Sequence, residues 1–76
     1  ALQGEAPALL LRAVLQHQRY LVGGDRAQAE RADLNYSTAL RLVSRNPRYR
    51  ATVLEQLGLL QAQVGNDRVA LAPGRR

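Results

Sequence analysis

A chain of 76 residues holds one small domain at most, and folding at that size buries only roughly 60% of the surface exposed by the unfolded chain. It has no cysteine and one histidine, His17, which excludes a disulfide framework and a thiolate metal site. Eleven basic residues, all arginine, against six acidic ones give a formal charge of +5, and no apolar run is longer than Ala8 to Leu11, far short of a membrane span.

The punctuation predicts four helical segments. Pro7 suits a first helical position, where its missing N–H costs nothing. The helix it opens runs to Val22, with Leu10, Val14, His17 and Leu21 on one face and Leu11, Leu15 and Val22 widening it. Gly23-Gly24 stops it. Asp25, with Gln28 three places on, reads as the cap of a second helix reaching about Ser44. Its stripe is Ala29, Ala32, Tyr36, Ala39-Leu40 and Val43, mostly small residues that let a neighbour come close; Arg26 and Glu30 can pair on the other side. Asn46-Pro47 is a second cap followed by proline. The third helix, Pro47 to Val64, presents Leu54, Leu57, Leu60 and Val64, with Val53 at the margin. Gly58 lies inside it, where glycine costs up to about 1 kcal/mol against alanine; a helix passing too close for a side chain would explain it. On that reading Gly58→Leu disrupts folding. Gly65-Asn66 closes this helix, and a fourth begins at Asp67 and ends at Pro73-Gly74. No stretch alternates like a strand, so the chain is all-α. It reads as a helical pair at about 7–44, a truncated pair at about 47–72 and a tail, 73–76.

From Ala51 to Leu71 the spacing resembles the first two-thirds of a tetratricopeptide (TPR) repeat. Leu54 stands at the fourth place, Leu57-Gly58 at the seventh and eighth, Gly65-Asn66 at the turn, and Ala70-Leu71 where the second helix packs. Ala32, Tyr36 and Ala39-Leu40 are similar to the small–aromatic–small series of a TPR second helix, and Asn46-Pro47 to its closing proline. That helix is about one turn longer than the family's, and His17 stands where the family prefers glycine. The resemblance implies antiparallel hairpins stacked as a short right-handed solenoid segment, with helix packing at Gly58, Ala32, Tyr36, Ala39, Leu54, Leu57 and Ala70. It implies a partner groove lined by the first helix of each pair. Those positions are Thr52, Glu55, Leu59, Ala62 and Gln63 in one pair, and Leu11, Val14, Gln18, Leu21 and Val22 in the other. Arg48 and Arg50 at its rim are handles for an acidic partner, whereas Glu55 and Leu59 are the wrong chemistry for clamping a terminal carboxylate.

Such repeats need neighbours to bury their apolar faces. The reading is therefore a non-catalytic protein–protein interaction or scaffold module, either part of a larger repeat protein or covered by other chains, with self-association or poor stability when alone. A start at Ala1 with no methionine reads as a processed or excised chain. No catalytic, metal or cofactor site is recognisable, and His17 on an apolar stripe reads as a packed or interface residue. Two rivals remain. The spacing from Gly58 to Val64, with the basic charge, fits a helix-turn-helix DNA reader with its turn at Gly58, although Gly65-Asn66 would interrupt the recognition helix. The other is a small helical subunit inside a large, even membrane-associated, complex, with Tyr20, Tyr36 and Tyr49 as anchors. The charge itself has two accounts. A GC-rich, bacterial genome writes arginine everywhere, while a basic surface would concentrate it, and Arg41, Arg45, Arg48 and Arg50 do crowd one junction, with Arg75 and Arg76 in the tail. A soluble chain in cytoplasm or periplasm is expected.

Overall fold

The computed structural model describes residues 2–71, with side chains from Glu5 to Val69. Three helices follow one another, α1 (Leu2–Gly23), α2 (Arg26–Leu42) and α3 (Pro47–Leu71), and there is no strand among the described residues. At the first corner Gly24 takes φ +73°, the left-handed conformation that favours glycine, and its N–H donates to the Tyr20 carbonyl at 2.8 Å. Asp25 then caps α2, its carboxylate accepting the Ala27 N–H at 3.0 Å. So short a link turns α2 back along α1. At the second corner the Asn46 side chain accepts the Tyr49 N–H at 3.2 Å and starts α3. α3 therefore runs alongside α1 and opposite to α2.

α2 buries the expected face: Ala29, Ala32, Tyr36 and Ala39, followed by Val43. Opposite it α1 buries Ala6, Ala13, His17 and Tyr20, with Leu9, Leu10 and Val14 partly covered. That face is rotated from the expected one: Leu21 is 54% exposed, and Leu11, Leu15 and Val22 all look outward. The reason is size. Alanines at 6, 13, 29, 32 and 39 bring the two backbones together, and the Tyr20 and Tyr36 rings fill what is left. Tyr20 and Tyr36 are thus core residues and not anchors for another chain, while Tyr49 is half-buried against the same core.

α3 departs from expectation in three ways. It is one helix of 25 residues, without the stop at Gly65-Asn66, so the truncated second pair is a single helix and the chain is one hairpin plus a third helix. Asp67 supplies a reason: it accepts from Gln63 at 3.0 Å one turn back and from the Tyr20 hydroxyl on α1, which ties the helix together across the glycine. Secondly, Val53 and Leu60 are its buried residues, with Leu57 and Val64 beside them, while Leu54 is 41% exposed and does not hold the helices together. Thirdly, Gly58 is exposed, and a Cβ built there meets nothing within 4 Å. No helix crowds it, so close approach is not its explanation, nor does the chain turn there as a helix-turn-helix would require. Packing by Ala70, the stop at Pro73-Gly74 and the tail 73–76 lie outside the described residues.

α1 likewise starts before Pro7, at Leu2. Proline inside its second turn forfeits one helical hydrogen bond, a small loss so near the end. The whole is elongated, 49 × 20 × 14 Å, with a radius of gyration of 13.7 Å; a compact globule of this length would have about 11 Å.

Candidate functional site

Two surfaces gather the residues that the sequence singles out. The first is the open groove between the parallel helices α1 and α3. Val14, Gln18 and Leu21 from α1 face Gln56, Leu59 and Gln63 from α3 across a cavity of about 340 Å³ whose floor includes His17. Leu21 and Leu59 are 54% and 56% exposed. Helical spacing produces this lining: 14, 18 and 21 lie on one side of α1, and 56, 59 and 63 on the facing side of α3. The wall mixes leucine with glutamine amides, which can both donate and accept, and holds no carboxylate.

Of the expected groove residues, the structure brings Val14, Gln18, Leu21, Leu59 and Gln63 together. Thr52 and Arg48 border the adjoining depression beside Leu10, Asn46 and Tyr49. Glu55, Ala62 and Arg50 are exposed on α3 outside both linings, and Val22 borders a separate hollow with Leu15 and Arg19 on α1. Leu11, 62% exposed, is on α1's outward side and lines neither. Gln56 was not foreseen, because glutamine carries no apolar signal and its place is set by which face of α3 docks.

His17 explains how the groove floor is held. Its Nδ1 lies 3.1 Å from the Tyr36 hydroxyl, and the two rings meet edge to face with centroids 5.9 Å apart. Burial pushes the imidazole below its ordinary value of 6.5 and the Tyr36 phenol above its own. The folded chain thus prefers neutral His17. That stability is complete above pH 6.5 and is lost as the pH falls below it, toward the lower folded-state value. Melting curves are expected to shift down between pH 7.5 and 5.5 in the native chain, and markedly less in His17→Gln; equal shifts would remove His17 as the cause.

Farther along, Tyr20, Gln63 and Asp67 form a polar clasp at the end of the groove. The hydrogen bond to Asp67 and then burial raise the Tyr20 phenol above its ordinary range, while the Arg26 and Arg68 guanidiniums pull it the other way.

The second surface is the α2–α3 corner. Ala6, Pro7, Leu42, Val43 and Tyr49 line an apolar cavity of about 380 Å³ with Arg45 and Asn46 at its edge. Among the described residues no cluster of three or more His, Cys, Asp or Glu could hold a metal ion, and no helix is long and apolar enough to cross a membrane. The chain matches no family model, no curated protein and no solved structure.

Proposed function

We propose that this chain is a non-catalytic protein–protein interaction module of TPR type, a repeat unit with the opening helix of the next, belonging to a larger solenoid or assembly. In this reading α1 and α3 are successive first helices, α2 is the second helix of the pair, and the α1–α3 groove receives the partner or the neighbouring repeat. The observation that carries it is the pair of half-exposed leucines, Leu21 and Leu59, facing one another across an open cavity. A chain whose core is half alanine has little apolar surface to spare for solvent. The small–aromatic–small face of α2, fully buried at Ala32, Tyr36 and Ala39, agrees with the same architecture.

The test is the behaviour of the chain by itself. Sedimentation is expected to show reversible self-association at high micromolar concentration, and Leu21→Glu/Leu59→Glu is expected to abolish it while keeping the helical content. A native chain that stays a compact monomer at every concentration, with its leucines tolerating glutamate at no cost in solubility or melting temperature, would overturn the proposal.

A further inference from the structure

The positive charge of this protein is not spread evenly. Between Asp33 and Glu55 there is no acidic residue, and Arg41, Arg45, Arg48 and Arg50 all fall there; the remaining seven arginines are set against all six carboxylates. Codon usage would supply arginine throughout the chain, but it would not clear acidic residues from the stretch that joins α2 to α3, even though Glu5 adjoins Ala6 and Pro7 on the α1 side of the cavity.

Helix electrostatics sharpen the point. Arg41, in the last turn of α2, suits the negative end of a helix and has a local explanation. Arg48 and Arg50 do not. They stand just after Pro47 at the start of α3, where the helix dipole repels cations, and no acidic residue shares that first turn. Both are exposed, as is Arg45. Two cations are therefore kept where they weaken the helix.

What they surround is concave and apolar. Arg45 borders the cavity of Ala6, Pro7, Leu42 and Val43; Arg48 borders the adjoining one of Leu10 and Thr52; Asn46 and Tyr49 form the wall common to both. The first, about 380 Å³, is within the size range of ligand pockets. The large exposed apolar side chains, such as Leu11, Leu15, Val22 and Leu59, lie elsewhere, so this corner offers nothing to insert into a bilayer. It offers a socket instead.

We propose that the α2–α3 corner docks an acidic peptide segment of a partner protein, with one apolar side chain seated against Tyr49 and carboxylates on either side paired with Arg45 and Arg48. Guanidinium forks take carboxylates bidentately, and the socket supplies a selectivity that charge alone would lack. The site is at the end of the bundle, where its Leu10–Thr52 side continues the α1–α3 groove, and it does not depend on the repeat architecture.

Fluorescence anisotropy with a fluorescein-labelled peptide, three glutamates on each side of one leucine, tests this in low salt. Arg45→Glu/Arg48→Glu is expected to weaken binding about tenfold or more, whereas Arg12→Glu/Arg19→Glu, with the same change in net charge, changes it less than about twofold. Replacing the peptide's leucine by serine is expected to weaken binding about fivefold. Because glutamate suits the first turn of a helix, Arg48→Glu alone is expected to melt at the same temperature as the native chain or higher, which separates lost binding from lost folding. If the double variant does not fold, Arg48→Gln carries the test with a loss of about threefold. Equal losses from both charge reversals, indifference to the leucine, or corner-dependent binding of duplex DNA or phosphatidylserine vesicles that exceeds peptide binding would each overturn the proposal.

Discussion

Tyr36→Ala is expected to remove a large share of the stability of this chain. Tyr36 is the largest fully buried side chain and sits where α1 and α2 meet, edge to face with His17. Truncating a buried aromatic residue costs about 3–5 kcal/mol, while a chain of this length has about 4–11 kcal/mol in all. At about 4–8 °C per kcal/mol, the melting temperature falls by more than about 12 °C. Tyr36→Phe keeps the ring and removes only the partner of His17 Nδ1, a loss of about 1–3 kcal/mol. The two variants together divide packing from hydrogen bonding. Calorimetry showing Tyr36→Ala within a few degrees of the native chain would mean that the α1–α2 seam is not the core.

Gly58→Ala combined with Gly65→Ala is expected to act in the opposite direction. Both glycines are in the body of α3, neither has a positive φ, and a Cβ at either meets nothing within 4 Å. Alanine then removes the backbone entropy of the unfolded chain without steric penalty, for about 0.4–1 kcal/mol at each site. Two distant turns of one helix share no partner, so the gains add. A rise of about 3–16 °C in melting temperature follows from the sum. Gly58→Leu, which a tightly crowded helix would reject, is expected to fold normally. A fall in melting temperature for Gly58→Ala would restore the idea that something must pass close by.

These glycines also mark what local sequence can and cannot convey. α2 was readable because most positions away from Ala29, Ala32, Tyr36 and Ala39 are polar, Leu34 being the large apolar exception, which leaves one dominant face to bury. α1 is apolar nearly all round, so spacing alone could not choose between the large residues and the small ones. Packing against α2 chose Ala6, Ala13 and Tyr20 because close backbones bury more than protruding leucines do. On α3 the same ambiguity exchanged Val53 for Leu54. Gly65-Asn66 has the composition of a helix stop, yet composition only permits a left-handed residue and does not require one. Asp67 ties the stretch beyond the glycine to Tyr20 on α1, a partner far away in the chain and invisible to any short window. The groove was legible in part for the same reason: helical spacing collects Leu59 and Gln63 on a side, but only the docking angle decides that Gln56 joins them and Glu55 does not.

The contact between Tyr20 and Asp67 joins positions 47 apart, at the tips of helices that touch at few other points. Closing a loop of that size carries a large entropic cost unless most of it has already been folded away. The first hairpin lowers that cost, because it already lays α3 along α1 and so places the carboxylate beside the phenol. A single oxygen atom on Tyr20 thus fastens the far end of α3, and Tyr20→Phe would unfasten it while leaving the ring within the α1–α2 seam.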